Sequence, residues 1–157
     1  MPDDEYLLRI GQLVYMVSSI EGLILFDLPG MATYLPEKLN AGALAGETMG
    51  TLARALTDAA PSIEDGDVRA YVDFAGRVLS QTSSIRNDLL HARPATVDGQ
   101  SRLFRWKPRD RRGAGVAFPI TDDWLEEMID MMSEASVQMN NVRPLGKNTA
   151  FTKRPAD

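Results

Sequence analysis

The only imidazole in this chain belongs to His91, in the stretch "SIRNDLLHARPA" (residues 84–95). An imidazole exchanges a proton near neutral pH. Arg86, five positions earlier, carries a permanent guanidinium cation of the kind that grips oxyanions. Asn87 adds a neutral hydrogen-bonding group one helical turn before His91. With no cysteine and one histidine, thiolate chemistry is excluded and zinc lacks its usual ligands. No metal or cofactor is expected, although composition alone leaves an all-carboxylate magnesium site open. No glycine-rich loop ends in Gly-Lys-Ser/Thr, so a phosphate-cradling nucleotide site is not indicated. A hydrolase triad of Ser84, His91 and Asp88 fails on geometry. Ser84 precedes His91 by two turns, beyond hydrogen-bond reach along one straight helix.

These groups need a support. Tyr71, Ala75, Val78, Thr82, Ile85 and Leu89 recur at four- and three-residue steps, which predicts a core-facing helix running into the motif. Pro94 disfavours helical geometry at Arg93 and so helps end it. At about 100° per residue, Asn87 and His91 point away from that apolar stripe, with Arg86 and Leu90 on its flank. Asp88 points to another side and reads as a solvated acid. The outward face also carries Asp73, Gly76, Ser80, Ser83 and Ser84, all small or polar. Such a face suits close approach by a second copy across a two-fold axis, which would join two Arg–Asn–His sets. Plain exposure is the other reading.

Three more helices are predicted. From Asp4 to Leu28, Ile10, Leu13, Val17, Ile20 and Ile24 form a helical stripe, widened by Val14, Met16 and Leu23, so this helix should be central. Leu28-Pro29-Gly30 stops it. Glu21 interrupts its apolar run, either as a buried partner for the Arg86 or His91 region or as a solvent-facing acid. A second helix is expected over Pro36 to Ala60, ending before Pro61. Gly42, Gly46 and Gly50 fall on one side of it. They read as a stripe for close helix approach or as a late helix start, each glycine costing roughly 1 kcal/mol against alanine in a helix interior. Thr121 caps a last helix, Asp122 and Asp123 suit its positive end, and Leu125, Met128, Met132, Ala135 and Met139 line its apolar face. Its methionines read as adaptable core or interface filler. Between the third and fourth helices, "SRLFRW" and "GVAFPI" flank "KPRDRRGA" as a β-hairpin or ordered loop. The expected fold is therefore all-α: a four-helix up-and-down bundle in one domain, residues 1–143, with an insertion at about 96–120. Residues 144–157 read as a flexible or partner-docked tail.

Charge is unevenly spread. The net value is −5, yet residues 102–112 hold six basic residues and one acid. That balance argues against a general nucleic-acid coat protein. The acidic start "MPDDEY" lacks the basic opening of a secretory signal. The apolar run from Leu13 to Met31 is broken by Ser18, Ser19, Glu21 and Asp27, so no membrane span is expected. A cytoplasmic location is the expectation.

Arg86-Asn87-Asp88-Leu89-Leu90-His91 resembles the motif of the HEPN (higher eukaryotes and prokaryotes nucleotide-binding) domain family. That motif is an arginine, a polar residue, and a histidine after four to six intervening residues, at a helix end in an α-helical bundle. The resemblance in helix order extends over roughly residues 4–142, while only the six-residue motif is specific. It implies a metal-independent endoribonuclease of toxin or host-defence type, with its site composed where two subunits meet. The RNA 2′-hydroxyl would attack, leaving a 2′,3′-cyclic phosphate. His91 would move the proton, Arg86 would hold the scissile phosphate, and Asn87 would orient the imidazole or bind the phosphate. Arg102, Arg105, Lys107, Arg109, Arg111 and Arg112 would then track RNA phosphates while Phe104 or Trp106 stacks on a base. A solvated hairpin tip with its aromatics packed on the bundle is the simpler account. Implied partners are a second copy, RNA, and a cognate antitoxin or other protein. The alternative is a non-catalytic protein- or nucleotide-binding scaffold of the same family.

Overall fold

The protein is seen in a computed structural model that describes residues 1–44, 46–107 and 115–144. Helix α1, Asp4–Asp27, opens where Asp3 turns its carboxylate onto the Tyr6 N–H. Tyr6, Leu13, Val17, Ile20 and Ile24 bury one face of it. Met16 and Leu23 pack at the edge of the core, but Val14 is exposed, so α1 flanks the core on one side instead of being surrounded. By length and composition α1 with the turns after it could cross a membrane, yet this buried face belongs to the core.

The expected second helix over residues 36–60 is much shorter. Leu28–Tyr34 and Glu37–Leu39 form 3₁₀ turns, α2 (Ala41–Leu44) is a single turn, and α3 is confined to Met49–Ala59. Thr48 caps α3 by accepting from the Thr51 N–H, so the glycine-rich segment belongs mostly to an irregular lead-in. Helices α4 (Gly66–Leu90) and α5 (Asp122–Val142) follow the predicted periodicity, and Thr121 caps α5 through the Trp124 N–H.

Two expectations about architecture are overturned. The chain is not all-α: it carries a three-stranded antiparallel sheet in the order β1 (Arg93–Val97), β2 (Gln100–Lys107), β3 (Val116–Ile120). The insertion thus starts at Arg93, before the expected 96. Asp98 and Gly99, both at positive φ, turn β1 into β2. That is the backbone of a tight hairpin turn, for which Asp-Gly is a favoured pair. The bundle is not up-and-down either. Arg9 meets Asp122 near the starts of α1 and α5, and Asp27 meets Arg143 at their ends, so these two run parallel. Gly50 lies against Ser83 and Gly76 against Thr57, so α3 opposes α4. Hence α1, α3 and α5 share a direction and only α4 opposes them. The stretch between α1 and α3 carries the chain back along the bundle.

Polar clamps close both ends. At one end the buried Asp27 carboxylate accepts from the Tyr71 hydroxyl at 2.5 Å and the Arg143 Nε at 2.8 Å, joining α1, α4 and α5. At the other, the Tyr6 hydroxyl accepts from the Leu103 N–H and donates to the Ile120 carbonyl, fixing the sheet to α1. Burial, then the bond to Asp27, pushes the Tyr71 phenol well above its ordinary 10.0. Burial raises the Tyr6 phenol too. The folded state therefore keeps these protons to higher pH than the unfolded chain does. Their contribution is fully present below about pH 10 and fades as pH rises beyond it. Urea midpoints are expected to hold up to about pH 10 and then fall, with a shallower fall in Tyr71→Phe.

Candidate functional site at the end of helix α4

Helix α4 delivers the motif to the surface where bundle and sheet meet. Ile85 and Leu89 are buried, whereas Arg86, Asn87, Leu90 and His91 are exposed. His91 ends the helix at φ −98° and ψ 4°, and its backbone N–H still reaches the Asn87 carbonyl at 3.1 Å. Asn87 and His91, four residues apart, therefore share one edge of the last turn. Among the described residues, no hydrogen bond or ion pair engages the side chains of Arg86, Asn87 and His91. The rigid backbone beneath and the unengaged groups above form a small polar surface able to bind an anion and pass a proton.

Asp88 is not a solvated acid. It is buried, accepts from the Arg105 Nε at 3.2 Å, and lies 2.6 Å from the Lys107 Nζ. Helical periodicity assigned it to a side away from the helical core, and the sheet is what covers that side. The basic arm is correspondingly committed. Arg102 keeps only 7% of its side chain exposed, pairs with Asp3 and Asp122 at 2.9 and 2.8 Å, and lies over the Tyr6 ring. The Asp3 N-cap bond to Tyr6 and its bond to Arg102 hold that carboxyl below its ordinary range. Thus Arg102, Arg105 and Lys107 tie the sheet to α1, α4 and α5. Arg109, Arg111 and Arg112 lie outside the described residues, as does the tail from 145 onward.

The aromatic side of β2 remains open. Trp106 is 65% exposed, and the half-buried Phe104 stands in register between Arg93 of β1 and Pro119 of β3. Arg93 is exposed, two residues past His91, with no ion pair among the described residues. It was not among the residues singled out from sequence. Its only signal there was its position between the motif and Pro94.

The small-residue face of α4 is divided. Gly76 is buried under Thr57 and Ala53 of α3, and Gly50 of α3 approaches Ser83. Ser80, Ser84, Asn87 and His91 stay exposed below that contact. Glu21 is part-exposed and makes no ion pair among the described residues. No three of His, Cys, Asp or Glu gather to hold a metal ion among the described residues. No family model, curated protein or solved structure matches this chain.

Proposed function

We propose that this protein cleaves RNA in the cytoplasm without a metal ion, using the exposed end of α4. The supporting observation is that Asn87 and His91 share an edge of the last turn, flanked by Arg86 and Arg93, with none of these side chains engaged in a hydrogen bond or ion pair among the described residues. In the proposed reaction the His91 imidazole accepts the 2′-hydroxyl proton as that oxygen attacks the adjacent phosphorus. The bond to the 5′-oxygen breaks, and the imidazolium returns the proton to it. The products are a 2′,3′-cyclic phosphate and a 5′-hydroxyl. Arg86, on the adjoining flank, stabilises the charge gathering on the phosphoryl oxygens. Trp106 and Phe104 offer faces on which an unpaired base stacks.

The test is incubation of mixed-sequence RNA with the purified protein in a chelator. Cleavage is expected, falling about 10²–10⁴-fold in His91→Ala. Arg86→Ala should also lose activity, and both variants should keep the wild-type circular dichroism spectrum. A 2′-deoxy nucleotide at the cleaved position should block the reaction. Intact RNA across diverse substrates would sink this reading. The second reading, a non-catalytic binding module, is favoured by the net charge of −5 and the open apolar face of α1.

A further inference from the structure

Helix α1 carries two heptad-like seams. Tyr6, Ile10, Leu13, Val17, Ile20 and Ile24 alternate steps of four and three and face the core. Leu8, Gly11, Tyr15, Ser18, Gly22 and Leu25 alternate steps of three and four on the opposite side. Of this second set only Leu25 is half-buried; Leu8 is 71% and Tyr15 74% exposed, and Gly11, Ser18 and Gly22 are exposed too. Either glycine has open space in front of it, since a Cβ built there meets nothing within 4 Å among the described residues.

We propose that this outer seam is a homodimer interface in which two copies of α1 pack antiparallel. An apolar three-four repeat is the pattern by which one helix packs along another. The order of the seam is self-complementary when a copy is reversed. Leu8 then faces Leu25, Gly11 faces Gly22, and the large Tyr15 faces the small Ser18. Val14 and Ser19, on its edges, match in the same way. The hydroxyls offer no obstacle to burial, because Ser18 donates to the Val14 carbonyl and Ser19 to the Tyr15 carbonyl. Between Leu7 and Phe26 the only charges are Arg9 and Glu21, and Arg9 is engaged by Glu5 and Asp122. A parallel pair would bring Asp3, Asp4 and Glu5 of both copies together, whereas the reversed pair separates them. The same acidic start opposes docking on an anionic membrane.

The seam is roughly 26 Å long at 1.5 Å per residue and about 10 Å wide. Two such footprints of about 260 Å² give roughly 500 Å², and side-chain relief raises the buried total toward about 1,000 Å², the lower limit for a specific interface. An interface of this size belongs with the weak, transient ones. The motif lies at the α1 N-terminal end of the bundle, where Tyr6 holds the sheet. An antiparallel pair therefore sets the two motifs at opposite ends, each protomer keeping its own site. The pairing does not rest on RNA cleavage, and its readout is independent of it.

The test is sedimentation equilibrium of the full chain from about 1 to 200 µM, with twice the chain mass expected at the upper end. Gly22→Leu and Tyr15→Arg should each weaken the dimer tenfold or more, with the dilute monomer unfolding near the wild-type temperature for Tyr15→Arg and at or above it for Gly22→Leu, which gains helix propensity. Because the chain has no cysteine, register can be read directly. Mixed Gly11→Cys and Gly22→Cys chains should oxidise to the mixed dimer. Neither should cross-link to itself, since like positions lie roughly 16 Å apart along the axis. A monomer at every concentration, a dimer indifferent to both substitutions, or self-cross-linking of either single-cysteine chain overturns the proposal. So does a monomer that floats with phosphatidylcholine vesicles, which would make the seam a lipid-binding face.

Discussion

Asp27→Ala is expected to destabilise the fold by about 3–5 kcal/mol, the usual cost of removing one partner from a buried ion pair. Asp27 is fully buried at the last residue of α1 and receives the Tyr71 hydroxyl from α4 and the Arg143 Nε from α5. One carboxylate thus gathers the ends of three helices, two of them far away in sequence. Alanine removes the acceptor, leaving a mostly buried guanidinium facing a phenol with nothing between them. Asp27→Asn keeps an acceptor oxygen but drops the charge, so a smaller loss of about 1–3 kcal/mol is expected. Urea denaturation of the two variants gives both numbers. If Asp27→Ala falls within 1 kcal/mol of wild type, water reaches the cluster and the clamp is not what holds this end together.

Asp27 also shows where sequence reading stops. The ends of α1, α4 and α5 were legible because periodicity and caps are local: Thr121 before two acids, a three-four stripe from Tyr71 to Leu89, a Pro-Gly stop after Leu28. The role of Asp27 depends on which distant helices reach it, and no local pattern carries that. Asp88 is the same case at the site. Its angle on α4 was legible, but the sheet that covers it was not, so a clamp on Arg105 and Lys107 read as a solvated acid. The exposure of Asn87 and His91 followed from the angle alone, since solvent needs no identification. Strand β1 is different, because its signal was local and strong. Asp98-Gly99 between "RPATV" and "QSRLFRW" marks a two-residue hairpin, and with it the all-α expectation fails. The short α3 was half legible: glycines every four residues suited either a stripe or a late start, and the Thr48 cap selects the late start.

Gly76 is where glycine does serve close approach, and its replacement carries the other large effect. A Cβ there would lie 2.6 Å from the Thr57 methyl, 3.0 Å from the Thr57 nitrogen and 3.1 Å from the Ala53 carbonyl oxygen. The last two are backbone atoms of α3, so no rotamer relieves them and the helices must part. Gly76→Leu is expected to cost about 3 kcal/mol or more, at the upper end of overpacking effects. Gly76→Ala should also be destabilising, even though alanine gains about 1 kcal/mol over glycine in a helix interior. The contrast lies within the same protein. Gly11→Ala meets open space on α1 and should stabilise the monomer by up to about 1 kcal/mol. A double-mutant cycle with Thr57→Ala separates the contributions. Removing the Thr57 side chain should recover part of the Gly76→Ala loss, the remainder belonging to the α3 backbone. Were Gly76→Ala to stabilise the protein as Gly11→Ala does, α3 and α4 would have room to spare.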